Sequence, residues 1–479
     1  MLTHLDLQEG DYVLEPCGGD GVFIEPILEK NASQSIDIYE LNELAFFGLK
    51  KKFGGYINTQ FSFADTLTDT NLDFKSSTGG FYDKIIANPP YGAWIDYEER
   101  KNLKKLYPGL YVKETYSLFL YRCVQLLKEG GRLVFIIPDT FLNLHMHSSL
   151  RAFFLTNTVI KEIALFPSNF FPNVNFGYAN LSILVLERCS DEAKCLDNEF
   201  LVTTGFAKVE DLNTSDGHTK RYCFTQREVF NNQDHALFIA DNQEVTRLLN
   251  HSDTRIGDIA SCVTGFYSGN DKDFLKVLSK DVRNGKKYDV LDRETLFLGE
   301  LNGQGTIGLK GEKHFVPIVK GGNTKYLKPN HWFMDWSVDS VGHYKKCKKA
   351  RFQNSQFYFQ NGIGVPMVSS SQITASLIEG RLFDQSIVGV FPHNQKLMWY
   401  LLAFFNTPTC NTLIRTINPS ANNPANYIKK IPVIIPDDKL IDKINKLTKR
   451  IVESVRETGT YNQEQAGELQ SIFIEIYGF

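Results

Sequence analysis

The sequence lacks any stretch of about 18 uninterrupted apolar residues, so no membrane-spanning helix is expected. It lacks a basic patch leading into an apolar run at its start, MLTHLDLQEGDYVLEP, so no signal peptide is expected. None of its eight cysteines stands in a C-x-x-C pair, which removes a zinc site or a disulfide framework. No metal is expected, and free thiols fit a reducing cytoplasm. The chain carries no repeat or low-complexity tract and no excess of one charge, its net charge being −3. What is present is an ordinary globular composition, 42% apolar and 22% charged over 479 residues. That length is too great for one core and calls for two or three domains.

The first part alternates short apolar runs with helix-like segments. DYVLEP reads as a strand ending in a turn, GVFIEPILEK as a helix start, SIDIYEL as a second strand and NELAFFGLKKKF as a second helix. YDKIIANPP is a strand running into a proline-locked loop. YSLFLYRCVQLLKEGG is a long amphipathic helix stopping at Gly130-Gly131, and RLVFIIPDTFL is an apolar strand. LSILVLER, from Leu181 to Arg188, reads as a late strand of the same sheet. Strands alternating with helices predict an α/β fold with a mostly parallel sheet covered on both faces. Beyond about residue 190 the alternation fades and loops rich in Gly, Asn and Ser appear. The expected division is a first domain over 1–190, a connecting segment over 191–244 and a mixed α+β domain over 245–436. A C-terminal helical segment follows over 437–479, in which Leu440, Ile444, Leu447, Ile451 and Val455 recur at helical spacing.

Three features carry chemistry. Glu15-Pro16-Cys17-Gly18-Gly19-Asp20-Gly21 sits at a strand end and opens a helix, where glycines let a ligand approach the backbone. Glu40 closes the second strand about twenty residues on, the spacing at which nucleoside-binding sheets place a carboxylate on ribose hydroxyls. No phosphate-gripping G-x-G-x-x-G is present, so a nucleoside without a pyrophosphate fits better than NAD. The third feature, Asn88-Pro89-Pro90-Tyr91, is decisive. Two prolines fix the backbone and push the residue before each out of the helical region. The stiff loop presents the Asn88 amide oxygen and the Pro89 carbonyl to the two N–H groups of a planar amine, with the Tyr91 ring available to stack.

The series Glu15–Gly21, Glu40, Asp65 and Asn88–Tyr91 resembles the ordered motifs of amino-group DNA methyltransferases of the N6-adenine type. The resemblance implies a Rossmann-like class I methyltransferase domain that binds S-adenosylmethionine. It implies cofactor contacts from Glu15, Pro16, Gly19, Asp20, Gly21, Glu40, Asn88 and Asp65, which matches the acid that receives the cofactor's adenine, and from Leu41 beneath that adenine. It implies catalytic roles for Asn88, Pro89, Pro90 and Tyr91. Phe170-Phe171-Pro172 resembles the family's last motif, which makes Phe171 the ring that packs on a flipped adenine, with Phe176 as the fallback. Asn at the head of the loop favours adenine over cytosine N4.

Cofactor motifs come first and a large domain follows, which resembles the gamma arrangement of type II and type IIG modification enzymes. IGDIASCVTGFYSGNDKDFL and LLAFFNTPTCNTLIRTINPSANNPANYIKKIPVIIP are similar to the opening and closing segments of their target-recognition domains. Relatives carry a further helix upstream of the first motif, for which only ten residues stand before Asp11, so that helix is expected to be short or missing. Nuclease sequence, where relatives have it, is usually upstream as well, and cleavage is not expected of this chain. From Lys310 to Arg351 ten Lys or Arg face three acids, a basic stretch suited to phosphate contact. Lys345, Lys346, Lys348, Lys349 and Arg351 are its densest part. The expected activity is methylation of adenine N6 in double-stranded DNA within a bacterial or archaeal cytoplasm, beside a separate restriction endonuclease if the system has one. The rivals are an RNA or protein-glutamine methyltransferase using the same loop and a non-catalytic specificity protein that kept the fold.

Overall fold

A computed structural model describes residues 1–30, 34–92, 95–171, 180–212, 219–301, 305–369, 371–418 and 420–479. The chain divides into two compact units, Met1–Phe238 and Ile239–Phe479. Among the described residues no helix is long and apolar enough to cross a membrane.

The first unit is built on one nine-stranded sheet. Its strands are β1 (Tyr12–Glu15), β2 (Ser35–Glu40), β3 (Thr59–Phe63), β4 (Tyr82–Ala87), β5 (Leu127–Pro138), β6 (Thr158–Phe166), β7 (Leu181–Arg188), β8 (Glu199–Thr204) and β9 (Lys220–Thr225). They lie in the order β3-β2-β1-β4-β5-β7-β6-β8-β9. The five from β3 to β5 are mutually parallel, and β7 runs antiparallel between β5 and β6. This is the mostly parallel, Rossmann-like sheet that the sequence predicts. Its helices include α1 (Leu2–Leu5), α2 (Ile24–Lys30), α3 (Glu43–Phe53), α4 (Thr70–Ser77), α5 (Tyr97–Leu106), α6 (Thr115–Leu126) and α7 (Ser148–Asn157). Val13, Ile36, Ile86, Val134 and Ile183 pack with Ile24, Ile27, Leu49 and Phe53 in one buried cluster. Leu14, Ile85 and Phe135, which alternate to the other face, are buried too, as expected of strands covered on both sides.

Two expectations need correction. The helix over YSLFLYRCVQLLKEGG ends at Leu126, not at the glycines. The Leu126 carbonyl accepts the Phe81 N–H at 2.8 Å and Leu127 pairs with Tyr82, so β4 claims the backbone that would have continued the helix. Gly130 instead takes a left-handed turn inside β5, at φ 75°. The division expected at residue 190 also falls elsewhere. β8 pairs with β6 and β9 with β8, so residues 199–225 extend the sheet and are no connector. Their signal was weak because both strands alternate buried with exposed residues and so show no apolar run.

The second unit contains two four-stranded sheets. One joins β10 (Ala260–Thr264), β17 (Ile387–Pro392), β14 (Ile363–Pro366) and β15 (Ser376–Leu377), all antiparallel. The other joins β11 (Leu275–Val277), β13 (Trp332–Asp335), β12 (Phe315–Val319) and β16 (Leu382–Phe383). Trp336, fully buried, anchors an aromatic core with Phe266, Tyr344 and Phe352. The C-terminal helices Asp438–Thr458 and Gln463–Tyr477 belong to this unit rather than to a separate segment, and Ile444, Leu447 and Ile451 form the buried stripe read from the sequence.

Beneath the strand ends of the first unit, Asp37 of β2 is 4% exposed and collects three partners. Lys75 of α4 pairs with it at 2.7 Å, and the Tyr82 and Tyr12 hydroxyls donate to it at 2.6 and 2.9 Å. The knot joins β1, β2, β4 and α4. Removing one partner of a buried pair strands the other charge, at a cost of about 3–5 kcal/mol. Asp37→Ala is therefore expected to lower the denaturant midpoint of the first unit by an amount equivalent to about 3 kcal/mol or more. A midpoint within error of the wild type would show that Lys75 finds water instead.

Candidate active site

The strand order reverses between β1 and β4, and ligands of open parallel sheets bind at the carboxyl ends of the strands there. Both candidate motifs leave the sheet at that place. After β1 the chain turns through Cys17 to Gly21. Gly18 is packed so tightly that an added Cβ would lie 2.8 Å from Leu49 Cδ1, and its N–H donates to the Tyr39 carbonyl at 2.8 Å. Gly21 has φ 78° and no room beside Phe53. Gly19, at φ 50°, has open space where a side chain would stand, so a ligand can approach the turn on that side.

Glu40, half-exposed at the end of β2, holds this turn. Its carboxylate accepts the Gly19 N–H at 2.8 Å and the Asn42 N–H at 2.6 Å. Leu41 beside it is 63% exposed, an apolar side chain left in water. Asp65, after β3, accepts the Leu67 N–H at 2.9 Å and the Thr68 hydroxyl at 3.2 Å, which fixes its carboxyl at the strand end. Glu15 is buried, with Cys17 Sγ at 3.9 Å, and no cation pairs with it among the described residues. Burial pushes its pKa well above the carboxylate range, and the Glu40 charge adds to this. A glycine turn with a bare face, two fixed carboxylates and a buried acid without a cation suit a ligand with a ribose, an adenine and an ammonium group. The donor set therefore fits S-adenosylmethionine. Asp20 is exposed at the lip of the turn and Pro16 is buried, its carbonyl taken by the Thr66 hydroxyl at 2.5 Å.

The second motif leaves β4. Asn88 is exposed, and its amide oxygen accepts a hydrogen bond from the Tyr91 hydroxyl. The loop and the glycine turn follow neighbouring strands, since β1 pairs with β4 through Val13–Lys84 and Leu14–Ile85. The Pro90 carbonyl is occupied by the Thr115 hydroxyl of α6 at 2.6 Å, whereas among the described residues the Pro89 carbonyl has no donor. Thr115 thus fixes the loop from behind. It lies 25 residues beyond Pro90, and nothing in its neighbourhood marked it in the sequence.

Behind the loop runs a polar chain that the sequence did not reveal. Glu114 and the Tyr116 hydroxyl meet His147 Nε2 at 2.8 and 3.0 Å, and Tyr116 also meets the Thr140 hydroxyl at 2.8 Å. Phe170 and Phe171 pack against the same core cluster as Tyr91, Phe171 lying 6.2 Å from the buried Phe166 ring. Phe171 is half-buried, while Pro172 and the fallback Phe176 lie outside the described residues.

In the second unit, Lys345, Lys346, Lys348, Lys349 and Arg351 are not buried, and none pairs with a carboxylate among the described residues. The rest of the basic stretch is not uniform. Lys320 is held by Asp271 at 2.8 Å and Asp384 at 3.1 Å, and Lys328 is buried. Those two are removed from the surface that the sequence alone assigned to them.

Comparison with known proteins agrees with the motif order. Residues 27–171 match the model of the Eco57I restriction-modification methylase family. The type II methyltransferase M.AccI of Acinetobacter calcoaceticus is 31% identical over 156 residues, 32% of this chain and 28% of the relative. The adenine-specific methyltransferase BrxX of Escherichia coli O9:H4 is 25% identical over 364 residues, 74% of this chain and 28% of the relative. The type II methyltransferase M.HindII of Haemophilus influenzae is 27% identical over 292 residues, 55% of this chain and 50% of the relative. The matches thus span half or less of these relatives' length. Among solved structures, the type IIG restriction endonuclease BpuSI aligns with 99% of this chain and 64% of its own, at 14% identity and a TM-score of 0.43.

Asp139, just after β5, offers a measurable handle on the first unit. Burial raises its pKa to about 6, against hydrogen bonds from Asn180 that favour the charged form. A carboxyl whose folded pKa lies above its unfolded value near 3.9 binds its proton more tightly when folded. Stability therefore falls as the pH rises from about 4 to about 6, by an amount on the order of 2–3 kcal/mol. Asp139→Asn is expected to flatten that slope and to be the more stable protein at pH 7, as read by denaturant unfolding across this range. Equal slopes would show that the carboxyl is solvated.

Proposed function

We propose that the chain is a site-specific DNA methyltransferase that moves a methyl group from S-adenosylmethionine to adenine N6 in double-stranded DNA after base flipping. It would serve as the modification part of a restriction-modification or related defence system, with a separate cognate endonuclease as its counterpart. The observation that carries this reading is the sheet topology, which brings the amine-binding loop and the glycine turn out side by side at the reversal between β1 and β4. A relative named as an adenine-specific methyltransferase supports it over 74% of the chain.

The chemistry follows from the residues. Adenine's amino nitrogen is a weak nucleophile because its lone pair is delocalised into the ring. The Asn88 amide oxygen and the Pro89 carbonyl accept one N–H each, which draws the nitrogen toward a tetrahedral shape and localises that pair. The Asn88 oxygen has two lone pairs, so it can serve the amine while the Tyr91 hydroxyl keeps the other. Thr115, through Pro90, keeps both acceptors from drifting. Glu40, Asp65, Leu41 and the Gly19 backbone hold the cofactor, which supplies a methyl already activated on a sulfonium. The displacement then depends on positioning more than on acid or base strength. Extracting the base from its stack costs a few kcal/mol, and packing on Phe171 and Tyr91 returns about 1–3 kcal/mol per ring. Lys345, Lys346, Lys348, Lys349 and Arg351 bind DNA phosphates without reading sequence.

The direct test offers labelled S-adenosylmethionine with duplex DNA, RNA and protein, then maps methylated adenine by sequencing. Label on RNA or protein alone would overturn the proposal. Asn88→Ala is expected to keep cofactor affinity while losing roughly 10²–10³-fold in turnover, the scale of removing one preorganised transition-state hydrogen bond. Near-normal turnover would remove Asn88 from the reaction. Neutralising Lys345, Lys346, Lys348 and Lys349 together is expected to weaken DNA binding on every sequence. It should flatten the dependence of log affinity on log salt by about one unit for each phosphate that no longer meets a cation. Superimposed salt plots would place the DNA-binding face elsewhere.

A further inference from the structure

The second unit encloses a cavity of about 1070 Å³ that the methyltransferase reading does not use. Four cations line it, Lys325, Lys328, Arg381 and Arg456, against two carboxylates, Glu300 and Glu379. Glu379 is engaged by Arg456. The other cations are unusual. Lys328 and Arg381 are only 9% and 5% exposed, yet neither is paired with a carboxylate among the described residues. Arg381 donates to the carbonyls of Ile378, Lys328 and Leu377 and to the Asn330 amide oxygen, so neutral groups meet its hydrogen bonds, and the Glu379 charge acts on it without forming an ion pair. Among the described residues Lys328 has one partner, the Lys320 carbonyl at 2.6 Å, for an ammonium with three donors. Lys325 reaches the Asn406 carbonyl, at 3.4 Å.

Buried charges are nearly always paired, because an uncompensated one carries a desolvation penalty of several kcal/mol. The strain shows in the titration of the two groups. Burial presses the Lys328 pKa down to about 8, with the Arg381 charge adding to the effect, and presses Arg381 down to about 10. Two lysines with donors to spare, both lining one cavity beside a buried guanidinium, suit an anion with several oxygens. The cavity is at the upper end of the range for small-molecule sites, and the rings of Phe297, Phe359 and Tyr461 form part of its wall.

We propose that this cavity binds a phosphate-bearing ligand of nucleotide size, whose phosphate oxygens are held by Lys325 and Lys328. The phosphate could belong to a free nucleotide or to the end of a DNA strand, and both present the same group to the lysines. The site stands apart from methyl transfer, since it depends on no residue of the first unit.

Calorimetric titration of the full chain with pyrophosphate, adenosine diphosphate and a 5′-phosphorylated oligonucleotide tests this. At least one probe is expected to bind the wild type, and Lys328→Met is expected to weaken it tenfold or more while S-adenosylmethionine affinity stays unchanged. Without ligand, Lys328→Met should melt at the wild-type temperature or above it, because an unneutralised buried charge has gone. Uptake of the two small probes would assign a free nucleotide, and uptake of the oligonucleotide alone would assign DNA; either upholds the site. No binding of any probe at millimolar concentration overturns it, as does binding that survives both Lys328→Met and Lys325→Met. Should Lys328→Met fail to fold, Lys325→Met carries the same test, since that side chain is only half-buried.

Discussion

Where the first unit's sheet changes the direction in which strands are added, between β1 and β4, two neighbouring strands send their connections to opposite sides. The carboxyl ends of both then stand beside each other with a crevice between the connections. Everything chemical in this unit depends on that gap. Glu15 through Gly21 leaves one side of it and Asn88 through Tyr91 the other, and the sheet's hydrogen bonds fix their separation. Asp37, sharing its carboxylate among Lys75, Tyr82 and Tyr12, ties the same strands together from below. The site is thus a property of the sheet's topology, and the loops only furnish its functional groups.

The parts of the molecule that were legible in the sequence are those whose physics is local. A parallel strand buried on both faces is mostly apolar, so the short apolar stretches of β1, β2, β4 and β5 stand out. Glycines that need φ above zero, and prolines that fix it, announced both motifs from the residues alone. What remained hidden depends on partners distant in sequence. Thr115 matters because its hydroxyl meets Pro90, His147 because Glu114 and Tyr116 converge on it, and neither pairing has a period or a spacing to betray it. The helix that should have reached Gly130 stopped at Leu126 for the same reason, since pairing with strand β4 overrode local propensity. β8 and β9 were missed because a short strand alternating at the sheet's edge looks like loop.

The basic stretch of the second unit shows how composition can mislead and inform at once. Its ten cations form one run in sequence but three populations in space. Lys320 is neutralised inside the unit, Lys325 and Lys328 line a cavity, and Lys310, Lys313 and Lys345 to Arg351 face water. Only the last group matches the purpose that counting charges suggested. A cation is informative when its neutralising partner is known, because its energetic meaning reverses between a paired and an unpaired state.

Helix α6 passes into β5 at Leu126–Leu127 with no intervening loop. Loops are where chains absorb insertions and deletions, and this junction has none. One residue added there would turn the helix by about 100° relative to the strand, since a turn takes 3.6 residues. The Thr115 hydroxyl would swing away from Pro90, more than ten residues from the lesion. Drift in length should therefore be confined to other connections of this unit, and the span from Thr115 to β5 should behave in evolution as a part of fixed length.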